Sequence, residues 1–261
     1  MTDNFSAHFI FFSPTGTSAK VGKAIAKGMG FDDVKVTDLT CDESTDLVSV
    51  SHEVAIIAVP VYGGRVAPLA MKRLQRLQAE HAPVVLVAVY GNRDYEDALV
   101  ELRDFAVEKG FTPLSAGAFI GEHSFSTEQY PVAVGRPDQD DLNLAIQLGA
   151  DSVKKLQAGT IDSIGNFFIK GNRPYKSLKA SAPVSPVSNE RCNGCATCLD
   201  VCPTHAISID EAGQVVTVAE KCIKCCACVK VCPEGARIFD TPFSAFLHQN
   251  CSARRAPEIF I

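Results

Sequence analysis

The residues best suited to chemistry in this chain are cysteines, of which it has eleven. Nine of them lie between Cys192 and Cys232, in two runs that each read C-x2-C-x2-C-x3-C-P. Three thiolates on one tight loop can cap three corners of an iron–sulfur cubane, while the fourth cysteine, followed by proline, points away. In a reducing compartment we expect such cysteines to be metal ligands rather than disulfide partners.

The two runs predict two [4Fe–4S] clusters that exchange their fourth ligands. One cluster is expected on Cys192, Cys195, Cys198 and Cys232, and the other on Cys222, Cys225, Cys228 and Cys202. Structural zinc also uses C-x2-C pairs, but a zinc ion takes four ligands and does not call for the longer run in duplicate. The spacing therefore favours clusters over zinc.

Three cysteines fall outside this ligand pattern. Cys226 stands between two predicted ligands, so we expect its side chain to point elsewhere, as a buried free thiol. Cys41 and Cys251 have no partner pattern and are interpreted as packing or surface residues. Residues 188–240 as a whole resemble the two-cluster bacterial ferredoxins, which implies low-potential transfer of single electrons through two neighbouring clusters.

An internal repeat organises this ferredoxin-like region. Glu190-Arg191-Cys192 and Glu220-Lys221-Cys222 begin two copies that are 30 residues apart. Between the copies, Ile207–Ile209 and Val215–Val218 alternate as two short strands do, with a possible turn at 211–213. The region has too little apolar mass to fold a core alone, so we expect the clusters to stabilise it.

Residues 1–160 alternate apolar runs with segments of helical periodicity, as an α/β domain does. The predicted strands are His8–Phe12, Val34–Val36, Val54–Val61, Val84–Tyr90 and Pro113–Ile120. The predicted helices carry Val21, Ile25 and Met29; Leu74 and Leu77, after Pro68; Leu99, Leu102 and Ala106, before Gly110; and Leu142, Ile146, Val153 and Leu156. Because helices supply the crossovers that parallel strands need, we expect an open, doubly wound parallel sheet.

Ligands of such sheets bind beyond the carboxyl ends of the strands, so the loops there are the candidate site. After the first predicted strand, a loop of hydroxyl residues and glycine opens a helix. Its candidate ligand-binding residues are Ser13, Thr15, Gly16, Thr17 and Ser18. Hydroxyls and backbone N–H groups at a helix N-terminus bind anions. The loop lacks both the G-x-G-x-x-G of dinucleotide binders and the G-K-[ST] of P-loop NTPases, so a monoester phosphate fits best.

This loop and the five-strand pattern resemble flavodoxins, which implies an FMN cofactor, strand order 2-1-3-4-5 and a flavin at the switch point. The resemblance places the flavin ring against the loops after the third and fourth strands. The residues expected there are Pro60, Val61, Tyr62, Gly63 and Gly64, and Tyr90, Gly91, Asn92, Arg93 and Tyr95. Tyr62 and Tyr95 are candidates for stacking on the ring, with ordinary loop tyrosines as the alternative.

The loop after the fifth strand, residues 121–126, lies on the same predicted rim. His123 within it could reach the flavin or a substrate, although a lone histidine is more often structural or simply exposed. Residues 161–187 read as a linker rich in Pro, Gly and Ser. Its excess of lysine and arginine either lies along the first domain or faces solvent. Residues 241–261 are predicted to be a C-terminal tail.

Composition narrows the function classes. The 261 residues carry a formal net charge of −5 and are 46% hydrophobic, which is typical of a globular protein and gives no support to nucleic-acid binding. No apolar stretch reaches the length of a membrane span, and the N-terminus lacks the features of a signal peptide. We therefore expect a cytoplasmic protein whose acidic surface docks on redox proteins, with an oligomeric state that the sequence does not specify.

Nearly the whole chain resembles a family of fused flavodoxin–ferredoxin proteins of anaerobes. The resemblance is carried by the order of the two halves and by the stretches Tyr-Gly-Asn-Arg and Gly-Glu-His-Ser. The resemblance implies a carrier that relays electrons between FMN and two clusters. The alternative is a flavin-dependent reductase of a small molecule that is fed by the ferredoxin domain, with His123, Arg65 or Arg93 orienting or protonating the substrate. A third, non-redox interpretation makes the clusters purely structural in a binding module. The sequence leaves open whether the protein is an enzyme.

Overall fold

The computed structural model describes residues 6–159, 167–178 and 182–261. The N-terminal half contains a parallel sheet whose five main strands are β1 (Ser6–Phe11), β2 (Val34–Asp38), β4 (Glu53–Tyr62), β7 (Pro83–Tyr90) and β8 (Thr112–Ile120). Their spatial order is β2-β1-β4-β7-β8, so the predicted 2-1-3-4-5 order of a flavodoxin-like sheet is confirmed. Three short strands accompany them: β3 (Val48–Val50), β5 (Arg65–Val66) and β6 (Leu77–Ala79).

Helices cover both faces of this sheet. The four helices are α1 (Thr17–Met29), α2 (Pro68–Leu74), α3 (Ala98–Glu108) and α4 (Gln139–Ala158). Adjacent residues of a strand point to opposite faces, so Phe9 packs with α1 and α4, whereas Ile10 packs with α2 and α3. The inner strands are therefore mostly apolar along their length, which explains why they read as hydrophobic runs.

One predicted helix is shorter than expected. Leu77 was predicted to continue the helix that carries Leu74, but α2 ends at Leu74 and Leu77 begins strand β6. The reason is a parallel pairing in which Val48 of β3 lies opposite Leu77. Two buried leucines three residues apart fit either structure, so their spacing could not reveal this pairing.

The C-terminal segment 241–261 is not a tail, which corrects the prediction. It forms α7 (Pro242–Cys251) and β13 (Glu258–Phe260). Thr241 caps the helix by accepting a hydrogen bond from the backbone N–H of Phe243. Strand β13 pairs antiparallel with β8 and extends the sheet at that edge. The chain thus returns to its first domain after passing through the cysteine-rich region.

The linker lies along the first domain in its described part, 167–178, so the first of its two interpretations is confirmed there. Asp97 accepts hydrogen bonds from the backbone N–H groups of Asn172 (2.8 Å) and Lys176 (2.7 Å). Arg173 forms an ion pair with Asp104. Residues 161–166 and 179–181 of the predicted linker lie outside the described residues.

The cysteine-rich half reproduces its sequence repeat in backbone geometry. It contains β9 (Val187–Ser188), α5 (Thr197–Asp200), β10 (Ile207–Ile209), β11 (Val215–Thr217), a 3-10 turn (Ala219–Lys221), α6 (Ala227–Lys230) and β12 (Arg237–Ile238). Ala196 and Cys226, which are equivalent in the repeat, both have positive φ and precede the short helices α5 and α6. Their left-handed conformation turns each cysteine loop back on itself.

Direct contacts join the two halves. A guanidinium N–H of Arg73, on α2, donates to the carbonyl oxygen of Pro203 (2.6 Å). Lys230, on α6, forms an ion pair with Glu122, which follows β8. Of the helices that the structure describes, none combines the length and apolar character required to cross a bilayer.

Close packing of α1 against α4 yields a first prediction. A Cβ atom added at Gly149 would lie 2.1 Å from the carbonyl oxygen of Ile25, so the helices must separate to admit it. We expect Gly149→Ala to lower the free energy of unfolding by about 1–3 kcal/mol, measured as a lower midpoint in thermal unfolding. Asn143→Ala, on the exposed side of α4, should change it by less than about 0.5 kcal/mol. Equal effects of the two variants would contradict this account of the packing.

Candidate functional site

A cavity of about 810 Å³ opens at the carboxyl ends of the parallel strands. The loops after β1, β4, β7 and β8 form its walls on the sheet side, as expected for this topology. The walls on the opposite side come from the linker, helix α7 and the loop Cys222–Lys224 of the second cysteine run. The cavity therefore lies where the two halves of the chain meet, and we refer to it as the main cavity.

The loop after β1 presents a buried hydroxyl to this cavity. Ser18, in the first turn of α1, is 1% exposed, and its Oγ has no hydrogen-bond partner among the described residues. Gly16 precedes the helix at φ 78°, a conformation that favours glycine. The Oγ of Ser13 accepts a hydrogen bond from the backbone N–H of Ala19 (3.0 Å) and thereby holds the loop. An unsatisfied hydroxyl at a helix N-terminus fits an anionic ligand group.

Most of the predicted ligand-binding residues line the main cavity, and three do not. Gly16 shapes the loop behind it. Tyr95 is fully buried away from the cavity, and its hydroxyl donates to the carboxylate of Glu258 (2.7 Å). The amide of Asn92 donates to the carbonyl oxygens of Cys251 (2.5 Å) and Ala253 (2.8 Å). Asn92 and Tyr95 therefore hold the C-terminal segment in place and lie outside the wall of the main cavity, whereas the sequence predicted them at its rim.

Tyr62 lies in the wall between the main cavity and the second cysteine run. Burial raises the pKa of its hydroxyl well above the ordinary value, and the thiols of Cys225, Cys226 and Cys222 add to this effect. The hydroxyl of this side chain thus lies close enough to the second cysteine run to be affected by its charges. Its stacking role stays a prediction.

His123 is a neutral hydrogen-bond donor at the rim of the main cavity. Burial lowers its pKa to about 4, and the charges of Arg93 and Lys230 act in the same direction. Its Nδ1 accepts a hydrogen bond from the backbone N–H of Phe125 (3.0 Å), so the ring proton resides on Nε2. Gly91 makes room for the imidazole, because a Cβ there would lie 2.4 Å from Cδ2 of His123.

The two candidate arginines differ in their position. Arg65 pairs with Glu101 through two hydrogen bonds of 2.8 Å and 2.6 Å and is absent from the residues that line the main cavity. Arg93 does line it, next to its ion-pair partner Glu96. Only Arg93 is therefore placed to contact a ligand.

Sequence reasoning missed the walls that come from distant parts of the chain. These are supplied chiefly by Lys176 and Leu178 of the linker, Cys222, Ile223 and Lys224 of the cysteine loop, and Phe243, Phe246 and Cys251 of α7. Phe243 and Phe246 stack with ring centroids 5.4 Å apart. The spacing of three residues between these phenylalanines is a sequence pattern that predicts one face of a helix. No sequence pattern predicts the position of the linker.

Two smaller cavities sort the cysteines into the two predicted sets. The first cysteine cavity is lined by Cys192, Cys195, Cys198 and Cys232, and the second by Cys202, Cys222, Cys225 and Cys228, together with Cys226. In the described part of the chain, no three His, Cys, Asp or Glu side chains converge on the position of a single metal ion. Each cavity instead has four predicted ligands spread around its wall, an arrangement that fits a polynuclear cluster.

The fourth cysteine of the first run, Cys202, lies near the thiols of the second run. Burial raises the pKa of Cys225 to about 12, and Cys202, from the other run, contributes to this rise together with Cys228 and Cys222. Backbone N–H groups also point at the exchanged sulfurs, since Ala206 donates to Sγ of Cys202 (3.3 Å). Ala236 donates to Sγ of Cys232 in the same way (3.2 Å). Such N–H···S bonds stabilise a cluster thiolate.

The cysteines outside the ligand sets have different surroundings. Cys226 is buried, as predicted, and its thiol donates to the carbonyl oxygen of Lys224 (3.7 Å). Cys41 is exposed, with its thiol 4.0 Å from the carbonyl oxygen of Asp200. Cys251 lines the main cavity. Two residues, Cys222 and Ile223, line both the main cavity and the second cysteine cavity, so these two cavities share a wall.

Residues 191–236 match the family described as a 4Fe-4S dicluster domain. The match spans all eight predicted ligands. No curated protein gives a significant match to the chain. With the strand order of the sheet, the family match shows that the chain joins a flavodoxin-like α/β domain to a 4Fe–4S dicluster domain, an architecture suited to electron transfer.

Similar solved structures are flavodoxins at low identity. A flavodoxin from the domain Archaea is 15% identical over 59% of this chain and 99% of its own, with a TM-score of 0.39. The flavodoxin of Streptococcus pneumonia TIGR4 is 17% identical over 57% and 97%, with a TM-score of 0.40. That of Fusobacterium nucleatum, bound to flavin mononucleotide, is 17% identical over 58% and 96%, with a TM-score of 0.38. Because these TM-scores are low, the fold assignment depends on the observed strand order.

The lowered pKa of His123 predicts a pH effect on stability. The imidazole takes up a proton near pH 6.5 in the unfolded chain but only near pH 4 in the folded one. Its contribution to stability is therefore complete above pH 6.5 and declines as the pH falls toward 4, by about 2 kcal/mol at about pH 5. We expect the thermal midpoint of His123→Gln to fall less than that of the wild type between about pH 7.5 and about pH 5.

The matched control for this prediction is His52→Gln, because His52 is exposed. This variant should keep the pH dependence of the wild type. If His123→Gln and His52→Gln follow the same pH dependence, His123 is not held neutral by the fold.

Proposed function

We propose that the chain is an electron carrier that binds FMN in the main cavity and one [4Fe–4S] cluster in each cysteine cavity. The observation that carries the proposal is the shared wall, in which Cys222 and Ile223 line both the main cavity and the second cysteine cavity. A flavin exchanges one or two electrons and a cluster exchanges one, so their proximity joins two-electron and one-electron partners.

The main cavity has the features that FMN requires. Its volume of about 810 Å³ is in the range of cofactor sites. The unsatisfied Ser18 hydroxyl and the N-terminus of α1 suit a phosphate at one end. Tyr62 and the glycines of the loop after β4 offer an apolar face to a flat ring. His123 contributes a fixed N–H donor at the rim.

The cysteine cavities have the donor sets that two clusters require. Each brings together three thiols of one run and the fourth of the other, as the ferredoxin pattern demands. Burial opposes ionisation of thiols such as Cys225, so a bound cluster is needed to hold them as thiolates. In the first cavity Cys195 is exposed, which makes that end of the molecule the place where redox proteins exchange electrons.

The geometry supports a carrier better than a reductase. Of the three side chains expected to orient a small substrate, Arg65 is held by Glu101 outside the main cavity. His123 is neutral and donates through Nε2, so it is not a proton source near neutral pH. The shared wall serves a carrier and a reductase fed by the cysteine-rich half equally, so the preference for a carrier rests on the surroundings of Arg65 and His123.

Cofactor content after anaerobic purification tests the proposal. The wild type should contain about eight irons, about eight acid-labile sulfides and about one FMN per chain. Cys222→Ser should retain about four irons, because only the second cavity loses a ligand. The matched control is Cys226→Ser in the same loop, which should keep all of the iron, since Cys226 is outside both ligand sets.

Other contents contradict the proposal in specific ways. A wild type with eight irons but no flavin would show that the main cavity holds another ligand. Loss of four irons from Cys226→Ser, with full loading of Cys222→Ser, would show that the ligand set of the second cavity is wrong.

A further prediction concerns the phosphate of FMN. Ser18→Ala removes a hydroxyl that can donate to a charged oxygen, an interaction of about 1.5–3 kcal/mol, so the dissociation constant of FMN should rise about tenfold or more. Quenching of flavin fluorescence on titration of the flavin-free protein measures it. Riboflavin lacks the phosphate and is the matched control, because its affinity should be the same for both proteins. If Ser18→Ala weakens FMN and riboflavin equally, Ser18 does not bind the phosphate.

A further inference from the structure

Arg237 is a buried positive charge in the cysteine-rich half. It lies in β12 and is 2% exposed. Its guanidinium donates to Oγ of Ser188 (3.1 Å), the carbonyl oxygen of Pro186 (2.9 Å) and Oγ1 of Thr217 (2.7 Å), and its Nε has no partner among the described residues. All three acceptors are neutral. A buried charge with only neutral partners is strongly destabilising unless a negative group lies nearby.

The negative groups near Arg237 are the predicted cluster ligands. Arg237 lines the first cysteine cavity, together with Cys198. Its Nη2 also lies 4.0 Å from Sγ of Cys228, which lines the second. The guanidinium opposes the rise in pKa that burial causes at Cys198, Cys222 and Cys228, so its charge acts on both cavities. It therefore stands between two sites that are both expected to hold anions.

The repeat shows that the fold does not require a charge at this position. The residue equivalent to Arg237 in the first copy, 30 positions earlier, is Ile207. Ile207 packs in the apolar cluster of this half and is 7% exposed. Both follow an alanine whose N–H donates to the fourth cysteine of its own run, so the two copies share this backbone hydrogen bond. The second copy thus places a cation where the first has a hydrocarbon.

We propose that Arg237 is the counter-charge of both clusters and raises their reduction potentials, an inference that rests on the proposed cluster content. Each cluster gains one negative charge when it takes one electron from a one-electron donor, and no proton is transferred. A fixed positive charge within hydrogen-bonding distance of a ligand sulfur favours the reduced form. Because Arg237 lines the first cysteine cavity and lies beside a predicted ligand of the second, it acts on the two potentials together.

Potentials measured on the full-length, loaded protein test this inference. In an anaerobic titration with redox mediators, followed by EPR of the reduced clusters, Arg237→Gln should lower both midpoint potentials. At a fixed applied potential the ratio of reduced to oxidised cluster should fall about tenfold or more, which corresponds to about 59 mV for a one-electron couple. Lys27→Gln, which removes an exposed positive charge on α1 outside both cysteine cavities, is the matched control and should leave both potentials unchanged.

Iron content, measured on every variant, separates the possible failures. A wild type without two clusters would overturn the proposed function itself. If wild type and Arg237→Gln both carry two clusters and their potentials agree, the proposed function stands and the inference about Arg237 is wrong.

If Arg237→Gln fails to bind its clusters, the potentials of Arg237→Lys are measured instead. It keeps the charge and loses the fork of hydrogen bonds, so its potentials should remain near those of the wild type. A tenfold fall in the reduced fraction of this variant would contradict the role of the charge.

Discussion

The pairing of β13 with β8 is the contact on which the site depends. In this pairing Phe260 lies opposite Ala116 and Glu258 lies opposite Ala118, at the edge of the parallel sheet. Because the linker is also held, by Asp97, the cysteine-rich half is attached to the first domain on both of its sides. This double attachment allows the loop Cys222–Lys224 to form a wall of the main cavity.

Charged residues hold the two halves together at their surfaces, and one buried charge lies inside the cysteine-rich half. Acidic residues of the first domain, such as Asp97 and Asp104, hold the basic linker, although the chain as a whole is acidic. Lys230 of the cysteine-rich half adds a further contact between the halves through its ion pair with Glu122 of the first domain. Inside the cysteine-rich half, where water is excluded, the cation Arg237 is placed beside sulfurs that a cluster would render anionic. Two of these charged residues line cavities, since Glu122 lines the main cavity and Arg237 lines the first cysteine cavity.

Sequence alone predicted what depends on local pattern. The parallel strands follow from hydrophobic periodicity, whereas their order is what the resemblance to flavodoxins implies. The sorting of the eight cysteines follows from the spacing of the two runs. The sequence did not reveal contacts between segments that are far apart in the chain. Asn92 and Tyr95 stand in a loop of the predicted rim but bond to the C-terminal segment, whose return to the sheet has no signature in the sequence. Arg237 was overlooked for a related reason, since one arginine in a β-like stretch reveals neither its burial nor its neighbours.

The most direct test of the central claim is the rate at which electrons delivered to the clusters reach the flavin. The fully loaded chain would be mixed anaerobically with a reduced, ferredoxin-type protein donor in a stopped-flow spectrometer, at several chain concentrations. The account predicts that cluster absorbance falls first and that flavin reduction follows at a rate independent of chain concentration. Flavin reduction that precedes cluster reduction, or that accelerates in proportion to chain concentration, would contradict an internal path through the shared wall.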